Sequence, residues 1–371
     1  MKIIKAILVW ALSIINTIAV VLMAVCAYSV YLHPVHFPNW SYLGMIFPAF
    51  VIITICFIPI WLLLKWKNCL ISILGMVVCW GSIRDYCPVN LMQGKPEGKT
   101  IKMLSYNVYM FGQWTDNDWD ESVIANYIVD SDADIVCLQE AANISNEIIN
   151  EKLTSAYPYI KMGNAKDSPT VLLSKYPILD IDSIQYSTIS GSSYIYNVNV
   201  DGDTIAVINN HLESYQLTNE DKELYKKLIK ESAGQIKDDA GELGADTANF
   251  DAKQTFWMLE EKVAAATSIR ATQADLLAET IENCKQKYII VCGDFNDSPV
   301  SYVHHKLTSG KLHDAYTEAG NGPGWSYNKN GMYFRIDNIL ISENMRSYRA
   351  KVEKTSKESD HYPIFCTLEL L

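Results

Sequence analysis

The chain has 371 residues, 49% of them hydrophobic, and a formal net charge of −11, long enough for one large domain plus an accessory segment. The charge is unevenly placed: seven of the 31 Lys+Arg and two of the 42 Asp+Glu fall in residues 1–100, which leaves 24 against 40, a net of −16, for residues 101–371. So negative a field speaks against tight nonspecific binding of nucleic acid, and nine cysteines without a C-x-x-C pair argue against structural zinc and a disulfide framework.

Residues 6–30 form an uncharged apolar stretch, longer than the roughly 20 residues that span a bilayer. Tyr42–Leu64 is a second, and Cys69–Ile83 a shorter third, which local bilayer thinning would accommodate. A signal peptide is the weaker reading of the first stretch, because its apolar core is too long and another apolar segment comes soon after. Lys2 and Lys5 precede the first segment and Lys65 and Lys67 follow the second, while Tyr31–Ser41 holds no Lys or Arg. Both basic ends are therefore expected in the cytoplasm. Three spans, the favoured reading, place the rest of the chain on the extracytoplasmic side (periplasmic if bacterial); a third segment lying in the interface would leave it cytoplasmic. Residues 1–89 thus read as a membrane anchor, and the polar, Gly- and Pro-bearing Asn90–Thr100 as a linker.

From residue 101 onward, short β-rich runs recur at Ile101–Tyr106, Ile135–Leu138, Thr170–Ser174, Tyr194–Val200, Thr204–Asn209, Tyr288–Cys292, Ile336–Ser342 and Ile364–Leu370. Helical periodicity appears in Glu121–Asp130, Leu259–Cys284 and, weakly, Asn219–Lys237. Many strands with few interposed helices predict an α+β domain over 101–371, with two sheets packed face to face and helices outside. Several apolar runs end at a polar group: Asn107, Glu140, His211 and Asp294 each follow one. Strand ends are where a rigid scaffold presents chemistry, so four such ends suggest one rim.

Ser105-Tyr-Asn107-Val, Leu138-Gln-Glu140, Leu173-Ser-Lys-Tyr-Pro-Ile178, Asn210-His211-Leu212, Arg270-x-x-Gln273-Ala, Gly293-Asp294-Phe-Asn296-Asp297, Arg335-Ile-Asp337 and Ser359-Asp360-His361-Tyr-Pro363 resemble, in order, the motifs of the endonuclease/exonuclease/phosphatase superfamily. The resemblance implies a DNase I-like four-layer α/β/β/α sandwich of two mixed sheets and a phosphoester hydrolase, and membrane-anchored members are a recognised form. It makes Glu140, with Asn107 and Asp360, the candidate metal ligands; oxygen donors suit Mg²⁺, with Mn²⁺ as a substitute. Asp294 would orient or deprotonate the attacking water, Asn296 and His361 would hold the phosphoryl group, and Asp337 would fix the tautomer of His361 and raise its pKa. His211 would assist the leaving oxygen, and a histidine there resembles the secreted deoxyribonuclease and sphingomyelinase branches.

Arg270 and Gln273 read as supports of the sheet, and His304, His305 and His313 as solvent-exposed. Asp297-Ser-Pro299 reads as an Asx turn. Trp325 either lines the substrate side or packs on the sheet. Residues 213–258 exceed a plain connection and form either a helical lid or a surface insertion. The expected partners are a phosphate-ester substrate (nucleic acid, lipid headgroup or small molecule) and the bilayer, with no protein partner. A noncatalytic membrane receptor or scaffold is the reading of another class.

Overall fold

The computed structural model describes residues 2–112, 121–163, 169–187, 191–216, 218–232, 252–327, 329, 332–354 and 358–371. The apolar start folds into α1 (Lys2–Tyr28), α2 (Leu43–Leu64), α3 (Cys69–Val78) and α4 (Trp80–Tyr86). α1 and α2 are long and apolar enough to cross a membrane, whereas α3 and α4 bend by 68° at the break between them. The expected third segment is thus a broken helix rather than a straight one. Buried Asn16 donates to Ser72 Oγ at 3.1 Å and ties α1 to α3, the kind of polar contact that joins helices where no water competes.

Beyond the helices lie two six-stranded sheets. One runs in the order β11 (Met345–Val352), β12 (Ile364–Leu370), β1 (Thr100–Asn107), β2 (Ile135–Gln139), β4 (Val171–Ser174), β3 (Tyr159–Met162). The other runs β5 (Ile178–Ile184), β6 (Ser192–Val200), β7 (Asp203–His211), β8 (Tyr288–Asp294), β10 (Asp337–Ser342), β9 (Leu312–Asp314). Alternate residues of the central strands, among them Met103, Cys137, Val207, Ile290, Cys292 and Cys366, form the core between the sheets. The opposite face of the first sheet packs with residues of α5 (Glu121–Asp130) and α6 (Glu147–Ala156). That of the second packs with α8 (Ala252–Asn283) and α9 (Tyr302–Thr308). Four layers result, and strands buried on both faces carry the near-continuous apolar runs seen in the sequence.

Polar side chains clasp the two sheets near one end. Gln139 Nε2 donates to Asn209 Oδ1 at 2.7 Å, and Asn209 Nδ2 donates to the carbonyls of Leu138 and Val171 at 3.0 and 3.1 Å. Both side chains are fully buried, so each lost partner would leave an unmet polar group.

The domain sits directly on the apolar helices. Val300 packs among Met23, Phe47 and Cys79, and a Cβ on Gly44 would lie 1.6 Å from the Val300 carbonyl oxygen, so only glycine permits this approach. His33 Nε2 lies 2.9 Å from Asp275 Oδ2, Ser268 Oγ donates to the Pro34 carbonyl at 3.2 Å, and Tyr42 Oη donates to Glu260 Oε1 at 3.1 Å. The linker segment is strapped to the domain: Asn90 Nδ2 donates to the carbonyls of Thr317 and Gly320 at 3.1 and 2.7 Å. Of the long insertion, α7 (Asn219–Ser232) and the start of α8 are helical, while 217 and 233–251 lie outside the described residues.

Candidate active site

Strand register builds the site. β7 and β8 are parallel with His211 opposite Asp294, and β8 and β10 are antiparallel with Asp294 opposite Asp337. Three chemically active groups therefore stand in one row across adjacent strands. In the facing sheet, β1 ends at Asn107 opposite Gln139, the residue before Glu140. Glu140 and Asn296 both adopt left-handed backbone, φ +51° in each, so their side chains depart from the strand direction; non-glycine residues hold such φ values only when the surroundings fix them. Gly293, at φ +124°, brings β8 so close to β7 that a Cβ would lie 2.0 Å from the Asn210 carbonyl oxygen. That contact keeps Asp294 level with His211.

Hydrogen bonds join the two sheets across the cleft. Asn107 Nδ2 donates to Glu140 Oε1 at 3.0 Å and to Asp294 Oδ2 at 3.1 Å. His211 Nε2 lies 3.5 Å from Glu140 Oε1 and 3.8 Å from Asp294 Oδ2. His361 approaches from the loop before β12, with Nδ1 2.8 Å from Asp337 Oδ2 and Nε2 3.6 Å from Asp294 Oδ2. Asn296 donates its backbone N–H to Asp294 Oδ1 at 2.8 Å and one side-chain N–H to the Leu212 carbonyl at 3.0 Å. The amide thus braces the end of β7 besides facing the site. Asp360 stands beside Tyr327, whose phenol is pushed up by burial and then by the Asp360, Tyr109, Asp294 and Glu140 charges.

Burial, then the Asp337 charge, hold the Asp294 carboxyl above the ordinary carboxylate range, against the pull of His361 and His211. Burial alone would depress His361, but Asp337 and Asp294 overcome it and hold the imidazolium well above its ordinary value. Asp294, Asp337 and His361 lie within 4.8 Å of one another. Their internal hydrogen bonding means the imidazolium already supplies the positive charge between those two carboxylates. The Glu140 and Asp294 carboxylates, bridged by the Asn107 side-chain N–H group, are hard oxygen donors that fit a divalent cation, while Asn107 Oδ1 accepts from the Tyr109 N–H at 3.1 Å.

The candidate residues Asn107, Glu140, His211, Asp294, Asn296, Asp337 and His361 meet in this cleft, and Asp360 stands beside it at Tyr327. The expectation that His304 is solvent-exposed is wrong: it is 3% exposed, and its Nε2 lies 3.2 Å from Asp314 Oδ2. His305 and His313 are half-buried, not exposed, and His313 Nε2 lies 3.2 Å from Glu318 Oε2. The expected Asx turn at Asp297 does not form, because residue 299 is a proline without an N–H; Asp297 Oδ1 accepts instead from the adjacent Ser298 N–H at 2.9 Å, and Oδ2 meets Arg270 Nε at 3.5 Å. Arg270 Nη1 donates to the Glu213 carbonyl and Gln273 Oε1 accepts from the Glu213 N–H, at 2.8 and 2.9 Å, so both hold the segment just after His211. Trp325 packs on Tyr333 and donates to Tyr86 Oη at 3.4 Å.

Sequence reasoning passes over Tyr327 and Ser326. The Tyr327 ring meets His361 edge-on at 5.2 Å, and Ser326 Oγ accepts from the Asp337 N–H at 3.1 Å. The Gly-Pro-Gly turn ahead of them is the only signal the sequence offers.

A family model described as the endonuclease/exonuclease/phosphatase family matches residues 104–361, and one described as a domain of unknown function matches residues 6–86. No curated protein gives a significant match. Among solved structures, an endonuclease/exonuclease/phosphatase protein from Beutenbergia cavernae DSM 12333 aligns at TM-score 0.51 and 14% identity over 73% of this chain and 72% of that one. D. rerio TDP2 complexed with a single-strand DNA product aligns at 0.50 and 15% over 73% and 99%. The human Nocturnin catalytic domain with bound sulfate aligns at 0.50 and 14% over 75% and 100%. At such identities these neighbours establish the two-sheet fold, and the family match over well more than half of the sequence establishes that this chain belongs to the endonuclease/exonuclease/phosphatase family of phosphoester hydrolases.

Proposed function

We propose that the chain is a membrane-anchored, Mg²⁺-dependent phosphoesterase that hydrolyses a phosphodiester or phosphomonoester by in-line attack of water. The observation that carries this is the convergence of Asn107, Glu140, His211, Asp294, Asn296, Asp337 and His361, from separate parts of the chain, on one hydrogen-bonded cleft. Glu140, with Asn107 and Asp360, would hold the cation, whose role when bound is to neutralise charge on the phosphoryl oxygens. Asp294 is the residue to accept a proton from water: burial, and then the Asp337 charge, hold its carboxyl above the ordinary range against the pull of His361 and His211, which suits a general base. His361, charged and oriented by Asp337, faces the phosphoryl oxygens together with Asn296. His211, with Nε2 3.5 Å from Glu140 and 3.8 Å from Asp294, would donate to the leaving oxygen.

Residues 1–89 serve as the anchor and 101–371 as the catalytic domain. The domain is extracytoplasmic in this reading, because it packs on the Lys- and Arg-free loop between α1 and α2 at His33, Pro34 and Tyr42, opposite the basic ends of the two helices. Asp294→Ala and His361→Ala each remove turnover of bis(p-nitrophenyl) phosphate while leaving the circular dichroism unchanged. Retained metal-dependent turnover in both would overturn the assignment.

A further inference from the structure

The loops that carry the catalytic residues are the same loops that rest on the anchor. Val300, four residues after Asn296, is seated against Gly44 in the first turn of α2. Tyr215, four residues after His211, donates to the Met45 sulfur at 3.7 Å. Four residues reach at most about 14 Å, and the interfacial layer of a leaflet is itself about 5–8 Å deep. The cleft therefore lies no more than about 14 Å from the first turn of α2, close to where the bilayer surface would be.

A second observation comes from α8. Its anchor-facing stripe reads Asp275, Ser268, Ala264, Glu260: Asp275 meets His33, Ser268 meets Pro34, and Glu260 meets Tyr42, with Ala264 buried between them. One turn further along the same face stands Trp257, beyond the last contact with the anchor and 54% exposed. Phe256 beside it is 50% exposed and packs edge-on against the Trp257 ring at 5.5 Å. In the loop between α1 and α2, Phe37 and Trp40 are also half-exposed. An apolar body with a polar edge is what the membrane interface selects in tryptophan, and the net charge of −16 over residues 101–371 works against nucleic acid.

Resting on the hydrolase reading, we propose that the substrate is a membrane-borne phosphoester, its phosphate carried at the bilayer surface on an apolar tail, and that the Phe256–Trp257 end of α8 is a second bilayer contact that keeps the cleft at that surface. Confinement to the same bilayer raises the effective concentration of such a phosphate at the cleft, which a dissolved phosphate does not share.

The test uses the full chain reconstituted in phosphatidylcholine vesicles, turning over bis(p-nitrophenyl) phosphate. Dicetyl phosphate placed in the bilayer should inhibit at least about tenfold better than ethyl phosphate in solution, and the Phe256→Ser/Trp257→Ser double variant should lose most of that ratio. Equal inhibition by the two phosphates, an unchanged ratio in the variant, or stronger competition by a single-stranded DNA oligonucleotide each overturn the proposal. Brominated phosphatidylcholine supplies a readout without turnover: it should quench a fluorescence component that is absent in Trp257→Phe, and no such component would contradict the bilayer contact. Failure to hydrolyse bis(p-nitrophenyl) phosphate at all would instead count against the hydrolase reading.

Discussion

Replacing Asp337 by Asn removes the carboxylate 2.8 Å from His361 Nδ1 and keeps its shape. Unit charges at that separation attract by about 6 kcal/mol at an effective dielectric of ~20, a ceiling on what the pair contributes. Asp294, 3.6 Å from Nε2, keeps its share of the attraction. Loss of the Asp337 carboxylate should therefore bring His361 back toward its ordinary value of ~6.5. The native state binds this proton more tightly than the unfolded chain does, so the stabilisation is complete below about pH 6.5 and fades as pH rises through the raised native value. Asp337→Asn should therefore destabilise by about 3 kcal/mol under mildly acidic conditions and by little in alkali. The alkaline limb of kcat, which reports imidazolium loss, should move to lower pH. Thermal unfolding and bis(p-nitrophenyl) phosphate turnover across the pH range check both. Equal destabilisation in acid and alkali together with an unmoved alkaline limb would refute the pairing.

The acid limb of the wild-type profile should lie above the usual carboxylate range of ~4, because Asp294 must ionise to serve as base and its surroundings resist that; a limb at or below the ordinary value would contradict this. Arg270→Ala strands buried Asp297 and should cost about 3–5 kcal/mol of stability, read by denaturant unfolding. Glu140→Gln should raise the Mg²⁺ concentration giving half-maximal turnover by about 10–100-fold with little change in Tm, since the side chain is 27% exposed.

A sequence is legible where one physical force dominates. The central strands β1, β2, β7 and β8 can be read because burial on both faces leaves nearly unbroken apolar runs. The edge strands β3 and β5 cannot: Asp180 and Asp182 in β5 face solvent and carry no β propensity. β9 spans three residues, too few for any period, and β11 carries three basic residues along a partly exposed face. α6 announces itself only through its cap, Asn146 accepting from the Ile148 N–H at 3.3 Å. The candidate site residues can be picked out of the sequence because each stands in a motif. His304 misleads because nothing in its polar neighbourhood betrays Asp314, which β9 brings to it. The Gln139–Asn209 clasp depends on a contact between sheets 70 residues apart in sequence, and no local pattern encodes it.

The central claim is that the converging carboxylates, amides and imidazoles form one metal-dependent hydrolytic site. Its most direct test is the rate of bis(p-nitrophenyl) phosphate hydrolysis by the full chain in detergent micelles, measured with Mg²⁺, after chelation, and after Mg²⁺ is restored. Chelation should abolish turnover, Mg²⁺ should restore it, and Asp294→Asn should lower it at least about a thousandfold. Turnover indifferent to chelation, or undiminished in Asp294→Asn, would contradict the claim.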